Sequence, residues 1–322
     1  MSNRRLGSAF SRRLTLILAC AAGLLVFLAL GIALWGKAHP VIEPPSPVKD
    51  AYPAQVLDLT NWKITLPIDA DADGRADEIR QPCLAVACYD AKRAGYQNPD
   101  FKKPFTDGWF YINKQKTGVV FRAPVKAPST VNSENARSEL RELAPANKKG
   151  EEVEARWSNK GPAVHAMELE EAIMSTPRNY PSVVCAQIHN DDDDVILIKL
   201  RGERLFANAD RGDFDETLDS HYKLGTRFKL RIEATQGVIN VIYNDKKTVT
   251  YKKSSDTMYF KAGVYNQSNL QKNPDEDPKS YGEVVIYKLK VTHDGAPPAP
   301  EDSSDSSSDS SDSDTSSDSS DN

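Results

Sequence analysis

The chain has 322 residues, with 41 basic and 46 acidic side chains and a formal net charge of −5. That charge is unevenly spread, +5 over residues 1–38, −8 over 301–322 and −2 between them, which excludes nucleic-acid binding driven by a globally basic surface. Hydrophobic residues make up 39%, with 12 Tyr, 10 Phe and 4 Trp, so wholesale disorder is excluded, and 39–300 suffices for one large β or α/β domain or two small ones.

Residues 1–13 are basic, and Leu14 to Trp35 reads LTLILACAAGLLVFLALGIALW, without a charge. A helix of that length crosses a ~30 Å hydrocarbon core. It is too long for the apolar stretch of a cleaved signal peptide, which favours an uncleaved anchor over secretion after cleavage. Arg4, Arg5, Arg12 and Arg13 precede it. They predict a cytoplasmic amino terminus and an exported remainder, tethered to the membrane through residues 14–35. Residues 36–52 form a linker with Pro40, Pro44, Pro45 and Pro47, and a domain is predicted over 53–293.

Within 53–293 the runs are short, rich in Val, Ile, Tyr and Phe, and bounded by Gly, Asn, Asp or Pro. They include Gly118–Arg122, Ser182–His189, Val195–Leu200, Arg227–Ala234, Val238–Tyr243 and Tyr281–Val291. Asn244–Asp245 is a hairpin-turn pair and Asp191–Asp194 reads as a solvated turn. No stretch after Trp35 carries a long 3.6-residue apolar period. The pattern predicts an all-β sandwich or jelly roll. Residues 294–322 begin with prolines and end in a Ser/Asp tail that cannot bury apolar surface.

Cys83 and Cys88 are close in sequence and predict a local disulfide in an oxidising compartment, while Cys185 reads as a small buried side chain. Asp69, Asp71, Asp73 and Asp77 alternate around Gly74 like half of a calcium loop. Arg80 stands where the bidentate Glu is needed, so an acidic turn is the stronger reading and calcium the weaker one. Asn266–Gln267–Ser268 fits a glycosylation sequon whose use would obstruct a cleft. His165, His221 and His293 have no partners in the sequence and read as structural.

Three strands concentrate hydrogen-bonding groups on one face. Ala136–Glu142 places Arg137, Glu139 and Arg141 together. Cys185–His189 places Gln187 with His189, and Tyr259–Gln267 places Lys261, Tyr265 and Gln267 together. Arg, Gln, His, Lys and Tyr suit a cleft for an anionic ligand, although a solvated sheet face also alternates.

The blocks ARSELRE, QIH and YFKAGVYNQ resemble the signature blocks of the alginate lyases of polysaccharide lyase family 7, and NWKITLP at 61–67 resembles that family's opening strand. The resemblance spans about residues 52–293. It implies a β-jelly roll with an open cleft on its concave sheet. It also implies β-elimination at the 4-O-glycosidic bond of a polyuronate, with no required cofactor. On the family pattern Arg137 and Gln187 neutralise the uronate carboxylate, while His189 and Tyr265 serve as base and acid. Glu139 orients an arginine and contacts sugar, and Arg141, Lys261 and Gln267 serve neighbouring subsites. Ile188 in the middle of QIH goes with activity on guluronate-containing blocks. The expected partner is alginate or a related anionic polysaccharide, met by a monomer. A lyase for another polyuronate such as glucuronan, or a binding jelly roll without turnover, are the alternatives. The second would need neither His189 nor Tyr265.

Overall fold

The computed structural model describes residues 47–86 and 103–295. The expected anchor at 14–35, Cys88 and the Ser/Asp tail lie outside those residues. Among the described residues, no helix is long and apolar enough to cross a membrane.

The strands are β1 (Trp62–Thr65), β2 (Glu78–Ile79), β3 (Phe110–Ile112), β4 (Val119–Pro124), β5 (Arg137–Ala144), β6 (Val153–Glu154), β7 (Val164–Ser175) and β8 (Ser182–His189). They continue as β9 (Asp194–Arg201), β10 (Arg204–Ala209), β11 (Phe214–Asp219), β12 (Phe228–Thr235), β13 (Val238–Tyr243), β14 (Lys247–Lys252), β15 (Tyr259–Asn266) and β16 (Tyr281–Asp294). Two antiparallel sheets result. The first runs β11-β10-β9-β8-β15-β5-β1-β2, with β6 added to β5, and the second runs β14-β13-β12-β7-β16-β4-β3. The predicted all-β sandwich is therefore the observed fold.

The alternation of the sequence explains which residues separate the sheets. Phe260, Ala262 and Val264 of β15 are completely buried, as are Ile188 of β8 and Leu140 of β5. From the second sheet Phe121, Met167, Ile173, Phe228 and Ile286 meet them in one core. Burying a side chain such as Phe260 contributes about 1.5–3 kcal/mol. The turn after β13 has positive φ at Asn244 and Asp245, the conformation short polar residues tolerate best.

Two bulges sit side by side in the first sheet. Val184 and Ala186 pair with Lys199 and Ile198, which leaves Cys185 as an extra residue in β8. On β15 the register against β8 shifts between Ala262 and Tyr265. Gly263 lies within that shift at φ +137, and a Cβ there would stand 2.5 Å from the Ser138 carbonyl oxygen. Only glycine allows β5 and β15 to approach this closely. Cys185 is buried and free, as the sequence suggested, and burial pushes its thiol upward.

Two sequence readings change and a third stands. His165 and His293 do have company, because β7 and β16 pair them directly. Their Nδ1 atoms are 2.7 Å apart, and His293 Nε2 lies 2.6 Å from Glu142 Oε1. Asn266 is fully buried and its Nδ2 donates to the Ala123 carbonyl at 2.9 Å, so the folded chain offers no sequon. In the acidic turn, Asp69 accepts from the Asp73 and Gly74 N–H groups, and Asp73 from Arg75 N–H. Asp77 accepts from Ala70 N–H. Oxygens of Asp69, Asp71 and Asp77 lie within 4.8 Å of one another. The carboxylates close the turn on its own backbone, so the turn reading holds and nothing in it calls for calcium.

Candidate active site

Register brings the three polar blocks into one patch. β15 lies between β5 and β8, with Lys261 opposite both Arg141 and Gln187, Tyr265 opposite Arg137, and Tyr259 opposite His189. The patch is centred on Glu139. Its Oε2 lies 2.9 Å from Arg137 Nη1 and 2.6 Å from Lys261 Nζ, and its Oε1 accepts from Gln187 Nε2. Glu139 therefore holds Arg137, while Arg141 goes elsewhere, to Glu154 at 3.0 Å. Burial would raise the Glu139 carboxyl. Lys261 and Arg137 outweigh it and hold the group below the usual carboxylate range.

Arg137 is only 7% exposed, and its guanidinium stacks 3.9 Å above the Tyr265 ring. Its Nε is buried without a hydrogen-bond partner. A buried donor in that state costs about 1–3 kcal/mol until an acceptor arrives. The Tyr265 hydroxyl lies 3.1 Å from Ser133 Oγ.

His189 Nδ1 is 2.5 Å from the Asn190 carbonyl oxygen. A carbonyl only accepts, so that partner assigns the proton to Nδ1 and leaves Nε2 with its lone pair. Burial, then the Lys261 charge, lowers the affinity of His189 for a second proton. Tyr259 holds the ring in place, stacked at 5.3 Å with its hydroxyl 3.0 Å from Nδ1. Arg141 in turn lies 3.9 Å over the Tyr259 ring.

Two expected subsite residues have protein partners. Lys261 is 8% exposed with its ammonium on Glu139, so it is an interior cation. Gln267 accepts from Lys199 Nζ at 2.8 Å, which extends the polar face onto β9. The blocks did not single out Tyr259, Ser133 or Lys63. Tyr259 and Lys63 carried a signal, since each is in phase with polar neighbours in its block. Ser133 lies in a loop and carried none. Lys63 is 4% exposed and pairs with Glu78 at 3.1 Å and Glu154 at 3.0 Å.

The sandwich carries one patch of Arg, Glu, Gln, His, Lys and Tyr side chains on its first sheet, the arrangement of a polysaccharide-lyase fold. The alginate lyase family model matches residues 57–293. A curated alginate lyase of Klebsiella pneumoniae is 27% identical over 77% of this chain and 94% of its own length. An alginate lyase from Corynebacterium sp. is 38% identical, with TM-score 0.64 over 76% of this chain and 98% of that one. The polysaccharide lyase family 7 enzyme AlgAT5 is 39% identical, with TM-score 0.61 over 75% and 98%. The chain belongs to this alginate lyase family, polysaccharide lyase family 7, and is a polysaccharide lyase.

Proposed function

We propose that the chain cleaves alginate by β-elimination, using Arg137, Gln187, His189 and Tyr265. The observation that carries the reading is the buried, unpartnered Nε of Arg137 beside Tyr265. A uronate carboxylate is the acceptor it lacks. A related alginate lyase, A1-II', 25% identical, has been solved with a product (GGG) and with a substrate (GGMG).

The C5 proton of a uronate is poorly acidic because its removal places a second negative charge beside the carboxylate. Arg137 and Gln187 face that carboxylate, and their hydrogen bonds strengthen as the charge grows. Tyr265 reaches the scissile oxygen and donates its proton as the C4–O bond breaks. In mannuronate, H5 and the 4-O bond share a ring face, so the Tyr265 oxygen takes H5 and passes that proton on to the leaving oxygen. In guluronate they lie on opposite faces, and the free Nε2 of His189 takes it. The product carries a 4,5-unsaturated uronate. No step draws on a metal or cofactor. Ile188 supports a preference for guluronate-containing blocks. Exported placement, a membrane tether at 14–35, a Cys83–Cys88 disulfide and a monomeric state complete the reading.

The test is ultraviolet absorbance of the unsaturated uronate from polymannuronate, polyguluronate and glucuronan. A rise on alginate blocks is expected, and no rise on any polymer sinks the proposal. Tyr265→Phe should abolish the rise on every polymer while binding persists. His189→Ala should slow guluronate cleavage more than mannuronate cleavage, and equal losses would end the split assignment of the base.

A further inference from the structure

The positive charge that the site offers its substrate does not come from Arg137 alone. Arg137 is already in contact with Glu139, and that pair sums to zero. The neighbouring cations are spoken for as well. Lys63, Arg80 and Arg141 are shared among Glu78, Glu152 and Glu154, three cations against three carboxylates. His189 is held toward its neutral form. Within the group formed by β5, β8 and β15, the ammonium of Lys261 is what remains. It sits on the same Glu139 oxygen that holds Arg137, nine-tenths buried.

We infer that Lys261 is a positioning residue that supplies the site's net positive charge: by neutralising Glu139 it frees the Arg137 charge for the substrate carboxylate. The inference rests on the lyase reading above and adds a division of labour. Arg137 and Gln187 touch the carboxylate. Glu139 fixes both donors by its two oxygens. Lys261 offsets the charge that this fixing introduces. With Lys261 in place, Arg137, Glu139 and Lys261 sum to +1, and a docked carboxylate brings the buried group to zero. Without it, docking would leave an uncompensated buried anion, which is strongly disfavoured. The cost grows as a second negative charge develops in elimination.

The groups facing Lys261 are Glu139, Arg137 and Arg141 from β5 and Gln187 with His189 from β8. Burial, opposed by Glu139 and helped by Arg137 and Arg141, pushes its ammonium down to about 8. That is the behaviour of a cation held in a desolvated site already crowded with positive charge.

The experiment counts charges. Lys261→Met leaves the group at zero, and Lys261→Met with Glu139→Gln returns it to +1 through Arg137. On alginate, Lys261→Met should lose ~10²-fold in kcat/KM, the usual size for a charge-stabilising group. The double variant should recover at least ~10-fold of that, because the offending carboxylate is gone along with its partner. Melting curves confirm that each variant is folded. If Lys261 served packing alone, a second substitution could not restore turnover. A folded double variant no better than Lys261→Met overturns the inference while wild-type cleavage of alginate stands. Absent wild-type cleavage sinks the lyase reading itself. Should Lys261→Met fail to fold, Lys261→Gln with and without Glu139→Gln makes the same comparison, judged by the same outcomes.

Discussion

Two polar clusters meet on β5 and differ in one respect that separates function from structure. On the face turned away from the core Glu139 gathers Arg137, Gln187 and Lys261. On the core face Glu142 gathers His293, the Trp157 indole N–H at 3.0 Å and the Phe260 backbone N–H at 2.8 Å. His293 passes the chain on to His165, whose Nε2 lies 3.0 Å from the Ser158 carbonyl oxygen. Both clusters centre on a buried glutamate. In the core cluster every buried side-chain polar atom has a partner, whereas in the Glu139 cluster Arg137 Nε has none. A satisfied network ties the two sheets together, and an unsatisfied one waits for a ligand.

The sharpest way to break the comparison is to remove one member of each cluster. Arg137→Ala should lower kcat by ~10²–10³ with little change in KM, since its partner charge grows in the transition state. A rise in KM alone would make Arg137 a subsite residue. Glu142→Ala should do the reverse. It strands three donors and costs about 3 kcal/mol, or roughly 6–12 °C in Tm, with turnover per folded molecule retained. Loss of turnover without loss of stability would merge the two clusters into one site.

The pH dependence of stability separates them further. His165 is lowered to about 4, by burial first and then by His293. The unfolded chain takes up that proton near ~6.5. Protonation therefore favours the unfolded state, and stability present at neutral pH should fall as pH drops from about 6.5 toward about 4. Thermal melts across that window should show a shallower slope for His165→Gln than for wild type. The smallest effect is expected outside both clusters. Lys223→Ala removes an exposed ion pair with Glu203 and should leave the melting temperature unchanged within error.

The polar patch was largely legible because its strands alternate. Ser182–His189 and Val238–Tyr243 are read from the sequence with the boundaries they have in the fold. β7 escapes this reading. Glu168, Glu170, Glu171, Ala166, Ala172 and Met167 are good helix formers or poor strand formers, and pairing with β12 and β16 overrides their propensity. Its Glu171 is fully buried beside the Cys185 thiol, and burial raises the carboxyl to about 8, the state of a neutral acid. The His165–His293 contact was invisible because 128 residues separate its members. The Lys261–Glu139 contact was not legible for a related reason. Phase along a strand says which face a side chain takes, but not whether a glutamate on the next strand will claim its charge.

The buried Asn266 has a consequence for how the protein is made. Its Oδ1 faces Gly282 so closely that a Cβ there would lie 2.3 Å away, leaving no room for a sugar on the amide. A glycosylating secretory host meets the triplet only while β15 is still out of place. Any chain tagged at Asn266 is thereby a chain that was caught before its sheet closed and can no longer close it. Glycan occupancy would act as a stopwatch on folding, and the tagged fraction would be the inactive one.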